Sequence, residues 1–170
     1  MKKWLQNFWY YYKVPALIVL AAAAAGLYFY FTQRGTVPSD YDVAVITPRG
    51  CSAEQLAKLS GILEQAGQDQ NGDCSVAIQI HVYRFTVGGT GQDQSAVAGL
   101  DADLVGKLSG IFFTESPEQF EASTNGFTAA DAIPVDNIPQ LSGCGIDDLY
   151  LLVRTDADNK YASLLSALTE

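Results

Sequence analysis

Asp69-Gln70-Asn71-Gly72-Asp73 places side-chain oxygens at the first, third and fifth positions, the spacing with which a calcium loop begins. Cys74 stands where such a loop needs a glycine, and Ile80 where the bidentate glutamate belongs. Asp69, Asn71 and Asp73 therefore read as a polar turn between a helix and a strand rather than as metal ligands. His81 is the single histidine of the chain. With none to spare, neither a histidine metal cluster nor a Ser-His-Asp or Cys-His relay can be assembled. On an alternating strand it reads as a half-exposed surface residue. Gly88-Gly89-Thr90-Gly91 lacks both the Lys-Ser/Thr of a phosphate loop and the spacing of a dinucleotide site, so it reads as a flexible loop. Asp147-Asp148 is a carboxylate pair at a turn. No nucleophile, base and orienting group come together, so the chain is not expected to be an enzyme, and no cofactor is implied.

Binding is the chemistry left. Open α/β sheets collect ligands at the carboxyl ends of their strands. Here that edge would gather Thr47, Arg49 and Ser52 after the first strand, Glu115 and Ser116 after the third, and Thr155 after the fourth. Helix starts at Ser52 and Ser116 would offer backbone N–H groups to a carboxylate or other small anion. Each of these residues also has a plainer role as a cap or turn former.

The elements that must position them follow from periodicity. YDVAVIT (41–47) is a short β-rich run, and Ser52 with Gln55 three residues on forms a capping box that opens a helix. Leu56, Leu59, Ile62 and Leu63 give that helix its apolar face, and it fades at Gly67. VAIQIHVYRFT (76–86) alternates, with a mixed second face that suggests a strand near the sheet edge. A helix follows from Gln94 to Leu108, with Val97, Leu100, Leu104, Val105 and Leu108 as its stripe and Asp101 and Asp103 toward water. GIFFT (110–114) reads as a buried strand, and Ser116-Pro117-Glu118-Gln119 as a second capping box. Residues 127–145, with Pro134 and Pro139, read as irregular; a last strand at 148–154 and a helix at 158–169 close the chain. Four β-then-α units predict a small α/β fold, a mostly parallel sheet of about four strands in the order 2-1-3-4 with helices on both faces. In that topology Cys74 and Cys144 both precede strands and share a pole, so they are the preferred disulfide pair. Three reduced cysteines are the other reading.

DADLVGKLSGIFFTESPEQFEAST (101–124) resembles the segment of extracytoplasmic solute-binding proteins in which a helix, a short turn and a buried strand report on the ligand cleft. Together with the N-terminal apolar stretch and the DQNGD turn, it resembles a group of uncharacterised single-pass bacterial membrane proteins that carry one such α/β domain outside. Solute-binding proteins have two lobes of this kind, and residues 40–124 cover one. The resemblance implies an extracytoplasmic α/β domain.

Placement in the cell rests on residues 14–31, VPALIVLAAAAAGLYFYF, eighteen residues without a charge. At about 1.5 Å per residue they cross most of a ~30 Å hydrocarbon core. Lys2, Lys3 and Lys13 precede the stretch and Arg34 follows it, so the positive-inside rule puts the N-terminus in the cytoplasm. The organisation expected is a basic, aromatic leader (1–13), a transmembrane anchor (14–31), a linker (32–40) and an extracytoplasmic domain (41–170). A cleaved signal peptide is the rival reading of the same residues. The first 34 residues hold four basic residues and no acid, and the remainder holds the other six and all nineteen acids, a net charge of −13. Such a domain repels nucleic acid and anionic headgroups. The expected partners are therefore the membrane itself, a small ligand and another membrane protein. Two roles are consistent with this, a binding domain or a structural subunit of a transporter or cell-envelope complex.

Overall fold

Tyr41–Ile46 (β1) is buried almost throughout because it lies inside a sheet covered on both faces. The computed structural model describes residues 18–24, 26–28, 39–89, 93–124 and 126–169, and the chain divides into two compact units, Met1–Val37 and Pro38–Glu170. In the first unit residues 18–24 and 26–28 are helical, and Ile18, Val19, Leu20, Leu27 and Tyr28 are exposed. Among the described residues no helix is long and apolar enough to cross a membrane. The leader, the linker up to Pro38, and residues 14–17, 25 and 29–31 of the proposed anchor lie outside the described residues.

The second unit is an α/β fold. After β1 come Ala53–Ala66 (α1), Ile78–Tyr83 (β2), Gln94–Gly106 (α2), Ile111–Thr114 (β3), Pro117–Ser123 (α3), the two-residue strand Ile133–Pro134 (β4), Tyr150–Val153 (β5) and Asn159–Thr169 (α4). Three 3₁₀ turns, at Ala129–Asp131, Val135–Asn137 and Pro139–Leu141, fill the stretch between α3 and β5. The sheet order is β2-β1-β3-β5-β4. Strand β1 pairs in parallel with β2 and β3, while β5 runs antiparallel to both β3 and β4.

Two cores lie on opposite faces of this sheet. Tyr41, Val43 and Val45 of β1 point toward Leu59 and Leu63 of α1 and Tyr161, Leu164 and Leu168 of α4. Ala44 and Ile46 point the other way, toward Leu100 of α2 and Phe120 of α3. On that second face Phe112, Phe120 and Phe127 form a mutual cluster with ring centroids 4.9–5.6 Å apart. Alternation along one strand thus feeds both layers. Strand β2 lies at the edge, in keeping with its mixed second face.

The expectation of a mostly parallel sheet is corrected: the sheet is mixed. The spatial order of the four anticipated strands is as expected, but the last of them is reversed. After α3 the chain returns through β4, whose Ile133 and Pro134 face Leu151 and Tyr150. That return uses up the crossover, so β5 begins beside the end of β3 and runs back. Proline removes a ladder donor and is confined to sheet edges, the position β4 occupies.

A second correction concerns α2. Asp103 is buried rather than solvated, and Val105 and Leu108 are exposed, at 86% and 54%, rather than packed. The helix ends at Lys107, whose left-handed backbone (φ +53°) swings Leu108 off the inward face. Asp103 turns inward because it has donors there: Ser109 N–H at 2.8 Å, Ser109 O–H at 2.7 Å and Tyr83 O–H at 2.9 Å. Gly110 beside this knot admits no side chain, since a Cβ there would lie 2.3 Å from the Tyr161 ring.

Candidate functional site

Reversal of β5 sorts the candidate residues between two poles. At the carboxyl pole of β1–β3, Thr47 is buried and donates its hydroxyl to Glu115 Oε1 at 2.8 Å, tying the end of β1 to the end of β3. Arg49 reaches Asp148, just before β5, at 3.2 Å, an exposed pair of little energetic weight. Ser52 caps α1: its Oγ accepts from Gln55 N–H at 3.2 Å, and its own N–H donates to Gln55 Oε1 at 2.8 Å. The Gln55 amide also donates to Gly145 O at 2.6 Å, so one side chain fastens the helix start to the loop ahead of β5. Five of the six residues expected to line this edge, Thr47, Arg49, Ser52, Glu115 and Ser116, are brought to it.

Thr155 is not among them. It follows a reversed strand and lies at the amino pole, where its N–H and O–H both donate to Gly126 O. The second capping box is also absent: Pro117 occupies the first helical turn, but Ser116 makes no side-chain cap hydrogen bond.

Two depressions flank the sheet at the carboxyl pole. One, of about 220 Å³, is lined by Thr47, Arg49, Cys51, Gln55 and Asp148 among others. The larger, an open groove of about 690 Å³, runs between α3 and the turn at 129–132, past Glu115, Ser116, Glu118, Glu121 and Tyr150. Glu121 is partly engaged, accepting from Ala129 N–H at 2.9 Å. Thr47 belongs to the first depression and Glu115 to the second, so their hydrogen bond is the wall between them. Cys51 is half-buried there, and burial pushes its thiol above the ordinary range while the nearby Arg84 guanidinium draws it down by less. Tyr150 and Cys51 were not expected in the site, and Gln55 and Glu118 were expected only as helix-start residues. For Tyr150 the missing fact is the direction of β5, which sets the pole at which the strand starts.

The amino pole is bound more tightly. Asp40 is buried and accepts from Gln70, Asn71 and Ala77 N–H at 2.8–3.0 Å. Lys160 donates to Asp40 O at 2.6 Å and lies over the Tyr161 and Tyr41 rings. In the adjoining turn Asp69 accepts from Asn71, Gly72 and Cys74 N–H, Asn71 Oδ1 accepts from Asp73 N–H, and Asp73 accepts from Ser75. The calcium-like spacing is thus expressed as a self-satisfied turn. Among the described residues no three His, Cys, Asp or Glu side chains converge as metal ligands. His81 Nε2 lies 3.7 Å from Asp42, partly shielded, with its ring stacked on Tyr83.

Arg154 is buried at the same pole and donates through Nη2 to Leu104 O at 2.8 Å. Its Nε lies 2.7 Å from Asp156, within ion-pair reach though the N–H is not aimed for a hydrogen bond. Lys107 donates to the same carboxylate, and that bond holds Asp156 below the usual carboxylate range.

The expected Cys74–Cys144 pairing is corrected. All three cysteines are free thiols; Cys74 is exposed in the amino-pole turn, whereas Cys144 is buried among the residues ahead of β5. The same reversal explains the error, because a residue preceding an antiparallel strand lies at the other end of the sheet. Compared with protein-family models, curated proteins and solved structures, the chain matches none.

Proposed function

We propose that the chain is a membrane-anchored extracytoplasmic binding or accessory domain, retained in the cell membrane by residues 14–31 with its N-terminus inside. Its recognition surface on this reading is the carboxyl pole. The observation that carries it is the pair of adjoining depressions there, walled by the part-buried Thr47–Glu115 hydrogen bond and framed by the Arg49–Asp148 pair. Convergent polar groups at the carboxyl ends of strands are where open α/β sheets take ligands. The resemblance of residues 40–124 to one lobe of a solute-binding protein bears on the extracytoplasmic placement rather than on the ligand. A small anion is the poorer ligand. Ser52 and Gln55 saturate each other, and Glu115, Glu118 and Glu121 border the larger groove. A ligand bearing an amine or other donor suits those carboxylates.

Calorimetric titration of the full chain in phosphatidylcholine nanodiscs with glutamate, arginine and spermidine tests this. Binding of an amine-bearing compound, weakened about tenfold by Glu115→Gln at a cost near 1.4 kcal/mol, is expected. The absence of any heat up to millimolar concentration would sink the reading.

An interaction subunit of a transporter or cell-envelope complex is the second reading. It draws on β2, an edge strand whose Ile78, Ile80 and Val82 are only half-covered. Recovery of a second membrane protein with the full-length chain would favour it.

A further inference from the structure

Among the described residues of the second unit, Val105 and Leu108 are the large apolar side chains left exposed. They flank Lys107 at the end of α2, and the tip that carries them is held in place. Leu108 N–H donates to Asp103 O at 3.1 Å, and the Asp103 carboxylate grips Ser109 through both its N–H and its O–H. Two residues on, Gly110 N–H donates to Asp42 O at 3.2 Å, while Ser39 donates to the Asp42 side chain. The apolar tip therefore sits beside the point where the chain comes into the domain. Seven residues, 32–38, separate that point from the end of the apolar segment at Phe31. Fully extended they span at most about 25 Å.

We propose that the amino pole rests on the outer leaflet, with Val105 and Leu108 seated among lipid headgroups. This deepens the anchored reading above and rests on it. If residues 14–31 span the bilayer, a tether this short leaves the amino pole as the end nearest the membrane. Exposed aliphatic side chains gain by entering the headgroup and acyl boundary, about 0.8 kcal/mol for each CH₂ buried. The occupant is a zwitterionic rather than an anionic surface, because Lys107 is engaged by Asp156 and the domain as a whole is strongly acidic. A protein partner would find little to hold, since two side chains offer far less than the ~800 Å² per partner of a stable interface.

The test places an environment-sensitive NBD fluorophore on Val105→Cys in a Cys74→Ser background of the full chain, reconstituted into phosphatidylcholine vesicles. The single variant Cys74→Ser corrects for labelling of the shielded Cys51 and Cys144. Gln119→Cys, on the exposed start of α3 at the carboxyl pole, serves as the comparison site. Blue-shifted emission at 105, quenched twofold or more by doxyl-labelled phosphatidylcholine while the probe at 119 is unaffected, is the expected result. Equal exposure of both probes to water, in protein that survives an alkaline wash of the vesicles, would overturn lipid contact and leave the anchor standing. Loss of the protein in that wash would overturn both. A blue shift that doxyl lipid does not quench would assign the tip to protein contact and reject the proposal.

Discussion

Replacing Asp103 by alanine tests the account of α2 most directly. The carboxylate is fully buried and accepts three hydrogen bonds, from Ser109 N–H, Ser109 O–H and Tyr83 O–H. Alanine strands all three donors. The two hydroxyls can rotate toward other acceptors, whereas the Ser109 N–H is fixed by the backbone and buried with its residue. At roughly 1–3 kcal/mol for each stranded group, with most of the hydroxyl cost relieved by rotation, Asp103→Ala should cost about 3 kcal/mol. For a unit of about 130 residues that lowers Tm by roughly 10 °C, between the shifts typical of smaller and larger domains. Asp103→Asn keeps Oδ1 for the Ser109 N–H and can turn its amide toward the two hydroxyls, which then accept, so about 1 kcal/mol is expected. Urea unfolding of residues 38–170 followed by circular dichroism gives both values from the midpoint shift at constant slope. The Tyr83 phenol supplies a second readout. Burial raises it above its ordinary value of 10.0, and the bond to Asp103 raises it further. A phenol whose folded value is raised contributes stability that is complete below pH 10 and is lost as pH climbs through the folded value. Alkaline loss of stability should thus be smaller in Asp103→Ala than in the parent. An Asp103→Ala variant within 0.5 kcal/mol of the parent would refute the reasoning, as would Asn proving as damaging as Ala.

Gly110→Ala should fail to fold or lose about 3 kcal/mol or more in the same urea series, because the new methyl meets the buried Tyr161 ring and displaces the hydroxyl that accepts from Asp42 N–H. Cys74→Gly should gain about 0.5–1 kcal/mol, since Cys74 is exposed with φ at +67°, where only glycine is free of strain; a loss would count against that assignment. Lys107→Ala should move the Asp156 titration midpoint, followed by carboxyl NMR, upward toward the ordinary aspartate value as the bond that depresses it disappears. Maleimide should label Cys74 first, Cys51 more slowly and Cys144 last, because burial raises both of the latter thiols; a parent mass two daltons light would reveal a disulfide instead.

Local signals in this sequence translated well and non-local ones did not. Ser52 and Gln55 specify the start of α1 by hydrogen bonds three residues apart, and the helix runs from Ala53 to Ala66 as the pattern implies. The order of the four main strands was likewise as expected, because successive β-then-α units favour a doubly wound arrangement in which the first strand lies inside the sheet. The direction of β5 was not. It depends on Ile133-Pro134, two residues that no periodicity distinguishes from the irregular stretch around them, and it is decided by pairing with residues eighteen and sixteen positions away. From that one reversal follow the displacement of Thr155 and the separation of Cys74 from Cys144. Asp103 was misplaced for a different reason. A helical stripe assigns charge to water, but here the capping turn at Lys107 brings Ser109 back beneath the helix as a buried donor. The same turn takes Leu108 out of the core.

Reversal of β5 also shapes what the carboxyl pole can do. In a wholly parallel sheet each strand would end there in a loop that leads into a helix, and recognition would rest on loops and helix starts alone. Here β5 begins at that pole, so Tyr150, the first residue of a strand, stands in the larger groove opposite the start of α3. Asp148, two residues earlier, closes the smaller depression onto Arg49. Regular elements hold side chains more firmly than loops do. The wall between the depressions is firm for the same reason, since Thr47 is buried and follows β1 directly, while Glu115 follows β3, its hydrogen-bonded neighbour. Side chains held this way have little freedom left to lose, so a ligand taken up at the proposed surface would cost little in ordering.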